Sequence, residues 1–436
     1  MTETAEPATT ARRPRRAARI SAVAAAAPLL LSLSAAPAPA LQRAAPQSTP
    51  HPAPHAAPQA TAHPRGALLS VTPLGHASRA EVVRLVTAAG VDAGAARHGT
   101  DSYRLTYATV TPSGAPTTAS ALLVLPDGGG DRLATVSETH GTLAYRGHAP
   151  SAGGNASNIG ALLYASGGRA VVAPDYLGLG AGPGTHPYMD TASSVSASLD
   201  ALRAARSAAA RHGRQLTQDV YVTGFSQGGQ VAMALGHELD RGADPRFRLR
   251  ALAPVAGPYD LAGQEVPGMF DGRVKGASSA FYVSYFLVAQ NRLRPLYADP
   301  REVFRAPYAD RVEGLFDGEH REKEIAEQLP GSLEELVTEE WYGRLRHPSG
   351  ALADALRRND GVCEWAPRVP VRLHTARGDR DVPFGNTVSC VKSLAERGAP
   401  AAVLPHGDTD HFGTYREAVS SNARWFGRLD RAALPR

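Results

Sequence analysis

Cysteine is scarce in this chain: Cys363 and Cys390 are the only two in 436 residues. A small scaffold stapled by several bridges is excluded, and at most one intrachain disulfide can form. Long apolar runs are nearly missing as well. The one candidate, 20–33, is short for a bilayer span and is interrupted by Pro28, which argues against a membrane anchor and against stable membrane insertion. No basic stripe interleaved with aromatics marks a nucleic-acid surface, and no internal repeat points to a stacked array.

The amino terminus reads as an export signal. Arg12, Arg13, Arg15, Arg16 and Arg19 form a basic region, the apolar run follows, and Ala38-Pro39-Ala40 offers a small-x-small cleavage site before Leu41. The paired arginines raise the twin-arginine route, but Pro14 and the lack of an aromatic after the pair fit it poorly. Residues 1–40 hold five arginines and two glutamates, so their removal lowers the net charge from +5 to +2. The apparent basicity is largely that of the signal. In an oxidising compartment Cys363 and Cys390 are expected to bridge, with two buried thiols as the alternative. Residues 41–67 are rich in Pro and Ala, lack periodicity and read as a disordered linker. Its His51, His55 and His63 have no cysteine or spaced carboxylate beside them, so a metal site is not expected.

Folded structure is expected from about Leu68. Ser78-Arg-Ala-Glu81 is a capping box opening a short helix, and 103–110 and 120–125 alternate as strands. Further strands are read at 133–138, 169–174, 220–223 and 249–255, with helices over 192–212 and 228–239. This alternation means an α/β architecture, a mostly parallel sheet with helices on both faces. It stops over 257–359, where helix-like pieces (280–287, 322–329, 333–345, 351–358) stand between Pro and Gly. A stretch that long reads as a helical cap inserted into one catalytic domain made of 68–256 and 360–436. Strand 369–374, helix 385–397, strand 401–404 and a last helix from about Tyr415, opened by Thr414-Tyr-Arg-Glu417, complete the order.

Gly224-Phe225-Ser226-Gln227-Gly228 follows a short strand and precedes a helix. A strand that turns straight into a helix strains the residue between them and lifts its side chain above the sheet. Small residues are needed two positions either side, because backbone packs on backbone there. Ser226 is therefore the expected nucleophile. A serine hydroxyl needs a base to take its proton, and the base needs an orienting acid. Asp379 and Asp381 both follow a strand; Asp379-x-x-Val382-Pro383 fits the acid-loop pattern better, and Asp381 stays open. His411, after the last strand, is the expected base, and His406, nearer that strand, is expected to be structural. For the oxyanion, the N–H of Gln227 is one donor, and Thr142 or Gly141, in His140-Gly141-Thr142 after an earlier strand, is expected to supply the other. Asp175 is expected to cap the glycine turn up to Gly180 as scaffold, and His186 and Tyr188 to lie near the cleft.

These residues together resemble the α/β-hydrolase superfamily, and within it the secretory lipase family related to fungal lipase A. The resemblance spans about Leu68 to the C-terminus, and is carried by His140-Gly-Thr142, Ala173-Pro-Asp-Tyr-Leu-Gly-Leu-Gly180, His186-Pro-Tyr188, Gly224-Phe-Ser-Gln-Gly-Gly229, Gly257-Pro-Tyr-Asp260, Asp379-Arg-Asp-Val-Pro383 and His411. It implies the α/β-hydrolase fold, a helical cap and hydrolysis of a small-molecule or lipid ester without cofactor. One departure stands out: Gly378 immediately precedes Asp379, where many relatives place the glycine three residues earlier, which keeps Asp381 in play. Phe281, Tyr285 and Phe286 recur near helical spacing and are expected either to wall an acyl pocket or to pack the cap. A peptidase on the same scaffold and a hydrolase-fold binding protein without activity are the alternatives to an ester hydrolase.

Overall fold

The computed structural model describes residues 63–154 and 158–433. The stretches expected to be an export signal (1–40) and a linker, the latter up to residue 62, lie outside them. The linker ends earlier than expected: the Arg65 guanidinium donates to Asp200 at 3.1 Å and to Ser196 at 2.7 Å, and the Gly66 N–H donates to Ala108 O.

Nine strands form one sheet among the described residues: β1 (Leu68–Ala77), β2 (Thr100–Val110), β3 (Pro116–Pro126), β4 (Arg132–Thr139), β5 (Ala170–Pro174), β6 (Gln215–Phe225), β7 (Arg248–Val255), β8 (Arg372–Thr375) and β9 (Ala402–Pro405). Their spatial order is β1-β2-β3-β5-β4-β6-β7-β8-β9. β1, β2 and β3 pair antiparallel, β3 joins β5 antiparallel, and β4 to β9 run parallel. All parallel strands thus end at one edge, where the loops after β4, β6, β8 and β9 meet.

Helices cover both faces: α1 (Arg79–Ala88), α2 (Ile159–Ser166), α3 (Thr191–Arg211) and α4 (Gln227–Asp240) precede β7, while α13 (Gly385–Glu396) and α14 (His411–Ala433) flank β9. Between β7 and β8 lie a π-helical turn, Leu261–Glu265, and α5 (Val266–Phe270), α6 (Gly276–Leu293), α7 (Pro300–Val303), α8 (Val312–Leu315), α9 (Glu322–Gln328), α10 (Leu333–Leu336), α11 (Glu339–Arg346) and α12 (Gly350–Asn359). Strand alternation builds the core. Leu123 and Leu125 of β3 pack under α3 and α4, while Leu122 and Val124 face the α1, α2 and α14 layer. The β7–β8 insertion has its own apolar cluster around Tyr285, Phe304, Phe316 and Trp341.

Several elements depart from expectation. β1 is an edge strand, largely exposed and carrying Pro73 and Gly75, so it lacks the alternation that reveals a strand. α2 is buried on every side, which erases helical periodicity. The expected helix over 333–345 is two: Thr338 accepts from the Trp341 N–H and starts α11 afresh. The last helix begins at His411, not near Tyr415, because Asp410 Oδ1 accepts from the Gly413 N–H and Thr414 already lies inside the helix.

Cys363 and Cys390 are joined, with Cα atoms 5.3 Å apart, tying the approach to β8 to α13 across a separation of 27 residues. In the chain-entropy picture a closed loop of this size stabilises by about 3 kcal/mol. The Cys363→Ala/Cys390→Ala double variant should lose about that much unfolding free energy in urea titration. A loss below about 0.5 kcal/mol would show that the bridge does not restrain the unfolded chain.

Candidate active site

Ser226 sits between β6 and α4 with φ 58° and ψ −126°, a left-handed conformation that costs a non-glycine residue about 1–3 kcal/mol. Three neighbours make it possible. A Cβ on Gly224 would overlap the Gly228 carbonyl, and a Cβ on Gly228 would overlap the Thr139 carbonyl. A Cβ on Gly229 would stand 2.8 Å from Val255 O. The Ser226 N–H donates to Val255 O at 2.9 Å, so the turn is fastened to β7, and the side chain is 7% exposed.

Asp379 and His411 form a buried pair, 5% and 3% exposed. His411 Nδ1 meets Asp379 Oδ2 at 2.6 Å, while Asp379 Oδ1 accepts the N–H groups of Asp381 and Val382 at 2.9 Å. With the proton on Nδ1 facing the carboxylate, Nε2 is left as an acceptor. Nε2 has no hydrogen-bond partner among the described residues, and His411 and Ser226 line the same cavity. Phe225 packs against the imidazole with ring centres 4.4 Å apart.

Asp381 turns away: its Oδ1 accepts from Ser278 Oγ at 2.8 Å and Tyr282 OH at 3.2 Å, with Lys275 Nζ 3.9 Å from Oδ2. Of the two candidate acids, Asp379 is the one brought to His411. The displaced glycine has a local cause. A Cβ on Gly378 would overlap the Asp408 carbonyl, because the loops after β8 and β9 cross there. His406, half-buried, shares a 2.9 Å contact with His374, which in turn meets Asn422 at 2.8 Å in the buried scaffold.

Gly141 lies against Ser226, where an added Cβ would stand 3.2 Å from both Ser226 Cβ and Phe225 O. Gln227 is the first residue of α4, so its N–H has no intrahelical acceptor. Thr142 Oγ1 and Tyr188 OH are 3.0 Å apart, and His140 braces the loop between the carbonyls of Gly141 and Asp175. His186 is buried behind Gln227, 3.4 Å from its Nε2, and burial lowers its pKa to about 3. Asp175 accepts from Ser120 Oγ and from the Ser151 backbone and hydroxyl, and a Cβ on Gly180 would overlap its carboxylate.

Two cavities meet at Ser226, Thr142 and Tyr282. The first is apolar and narrow, about 70 Å³, and is walled by Met189, Leu261, Met269, Phe286, Leu352 and Leu356 with Glu265 among them. The second, about 280 Å³, is more polar, with Glu138, His140, His148, Asn158 and Tyr415 around Ser226 and His411. Of the three aromatics read as pocket walls, Phe286 lines the first cavity; Phe281 and Tyr285 do not. Tyr285 is sandwiched between Tyr188 and Phe316 at 4.1 and 4.5 Å, with its hydroxyl on Leu143 O, and Phe281 edges onto the same group. They pack the insertion onto the body.

Motif reading missed Glu138 and Glu265. Glu138 is the last but one residue of β4, two before His140, and a charge in that position is the only signal the sequence offers. Burial pushes its carboxyl up to about 7, with Tyr415 OH at 3.3 Å its side-chain partner. A carboxyl raised in the folded state binds its proton more tightly there than in the unfolded chain. Its stabilising contribution is full below about 4.5 and is lost as pH rises to about 7. Glu138→Gln should therefore flatten the fall in unfolding free energy between those pH values in urea titrations. A slope unchanged from wild type would place the Glu138 carboxyl in a solvated setting.

No family model matches the chain, and neither does any curated protein sequence. Solved structures do. A Legionella pneumophila protein described as a hydrolase superposes with a TM-score of 0.77 at 24% identity, covering 85% of this chain and all of that one, 100%. The rice cell wall degrading esterase LipA from Xanthomonas oryzae gives a TM-score of 0.72 at 29% identity, over 85% of this chain and 99% of that one. Candida antarctica lipase A gives 0.59 at 14% identity, over 80% and 78%. Sheet order, the loops gathered at one edge and these likenesses agree: the chain has the α/β-hydrolase fold and is related in structure to hydrolases of the esterase and lipase type.

Proposed function

We propose that this chain is an exported serine hydrolase of carboxylic esters, acting through Ser226, His411 and Asp379. The observation that carries the reading is the buried 2.6 Å pair of His411 and Asp379, whose imidazole shares a cavity with a strained, glycine-flanked serine. His411 Nε2 takes the Ser226 proton as Oγ attacks the ester carbonyl. Asp379 holds the ring and stabilises the imidazolium. The oxyanion accepts from the Gln227 N–H and from an N–H of the Gly141-Thr142 loop. Collapse expels the alcohol, protonated by His411, and leaves an acyl-enzyme. Water, deprotonated by the same nitrogen, then releases the acid.

The narrow apolar cavity suits the acyl part and the more polar one the alcohol. α6 supplies Tyr282 and Phe286 to the apolar cavity, so residues 257–359 act as its lid. The neighbours named as esterase and lipase favour an ester over a peptide. Export through residues 1–40 accords with the Cys363–Cys390 bridge, and no helix among the described residues is long and apolar enough to cross a membrane.

On p-nitrophenyl butanoate, Ser226→Ala should lower kcat by at least about 10⁴-fold while its melting curve stays near wild type. Asp379→Asn should cost about 10³–10⁴-fold, and Asp381→Asn less than about tenfold. Comparable losses at Asp379 and Asp381, or substantial turnover by Ser226→Ala, would contradict the assignment.

A further inference from the structure

Glu265 is a carboxyl in an apolar wall. It closes the π-helical turn Leu261–Glu265, a geometry that frequently marks functional positions, and its side chain borders the cavity that reaches Ser226. It is 5% exposed and has no ion-pair partner among the described residues. One oxygen is satisfied: Asn386 Nδ2 donates to Oε2 at 2.8 Å. The orientation of that amide is fixed twice over, since Asn386 Oδ1 accepts from the Asp260 N–H at 3.0 Å and Nδ2 also donates to Pro383 O at 3.3 Å. Oε1 has no hydrogen-bond partner among the described residues. With Oε2 serving as the acceptor, the acid proton belongs on Oε1.

Its neighbours keep that proton in place. Burial, and then the nearby Asp379 and Asp381, push Glu265 up to about 8 against the pull of Asn386 and Arg273. Asp381 is already engaged by Ser278 and Tyr282, with Lys275 beyond. The hydroxyls of Tyr188 and Tyr282 titrate well above the ordinary tyrosine value through burial, so they stay protonated where Glu265 ionises. A neutral acid with one oxygen satisfied is a donor without an acceptor among the described residues, in a cavity lined mainly by Met, Leu, Val and Phe that also includes Tyr188, Tyr282 and the already engaged Asp381.

We infer that Glu265 is a specificity-determining residue, offering an O–H to an oxygen on the acyl part of the substrate, so that this cavity selects acyl chains carrying an ether, keto or hydroxyl oxygen over plain alkanoyl chains. The inference rests on the ester-hydrolase reading above and names the substrate class that reading leaves open.

The test compares p-nitrophenyl hexanoate with isosteres in which an ether oxygen replaces the third, fourth or fifth chain atom, an oxygen that can only accept. The quantity read is the ratio of kcat/KM for ether ester to hexanoate, in which pH effects on the shared chemistry cancel. At about pH 6.5 this ratio should be about tenfold larger, for at least one isostere, in wild type than in Glu265→Leu, the worth of one neutral hydrogen bond. In wild type it should collapse by about pH 9 as the carboxyl loses its proton. Glu265→Gln, whose amide donates at every pH, should keep it. Equal ratios in wild type and Glu265→Leu, or a wild-type ratio indifferent to pH, would overturn the assignment. If Glu265→Leu does not fold, the contrast in pH response between wild type and Glu265→Gln decides alone. Ser226→Ala is run beside them: its full turnover of hexanoate would sink the Ser226 assignment and a wild type that hydrolyses none of these esters the ester-hydrolase reading itself, whereas wild-type turnover without ether preference sinks only this one.

Discussion

Backbone presses on backbone around Ser226, and the site depends on that contact. β6 reaches the edge of the sheet and becomes α4 without a loop, so one residue must absorb the change of direction at positive φ. The strain is held because Gly224, Gly228 and Gly229 let the turn, the end of β4 and the end of β7 come closer than any side chain would allow. Gly141 repeats the device more loosely beside Ser226, and Gly378 repeats it where the loops after β8 and β9 cross. An alanine at these positions would have to push apart the segments that carry Ser226, Asp379 and His411.

That constraint explains what was legible in the sequence. Glycines at fixed offsets from a serine are written into the chain because the geometry admits nothing larger, so Ser226 stood out. The order of Ser226, Asp379 and His411 followed from strands ending at one edge. The choice between Asp379 and Asp381 was less visible: two residues apart, they diverge only because the loop turns between them, sending one to His411 and the other to Ser278 and Tyr282. In the sequence Thr414-x-x-Glu417 mimics a cap and puts His411 ahead of its helix, whereas Asp410 already opens the turn. Aromatic spacing in α6 pointed to one apolar face, yet a helix wrapped by both the body and its own insertion buries residues on several sides. Tyr285 and Phe286 are adjacent in sequence and face different surroundings.

Charge placement was the least legible feature. Glu138 and Glu265 belong to no motif, and each is defined by what surrounds it in space. Burial raises both carboxyls, one in the polar cavity beside His411 and one in the apolar cavity. The two chambers that meet at Ser226 thus differ in lining and each carries one acid capable of holding a proton near neutral pH. Under the proposed function, a substrate bound across them would place its ester between surfaces of opposite character, which gives the site a direction.

The most direct test of the central claim is the fate of Ser226 with an electrophile that stops at the tetrahedral stage. A fluorophosphonate should add once per chain, and peptide mapping should place the adduct on Ser226, with labelling slowed by orders of magnitude in His411→Ala. No adduct, or an adduct on any other residue, would contradict the account.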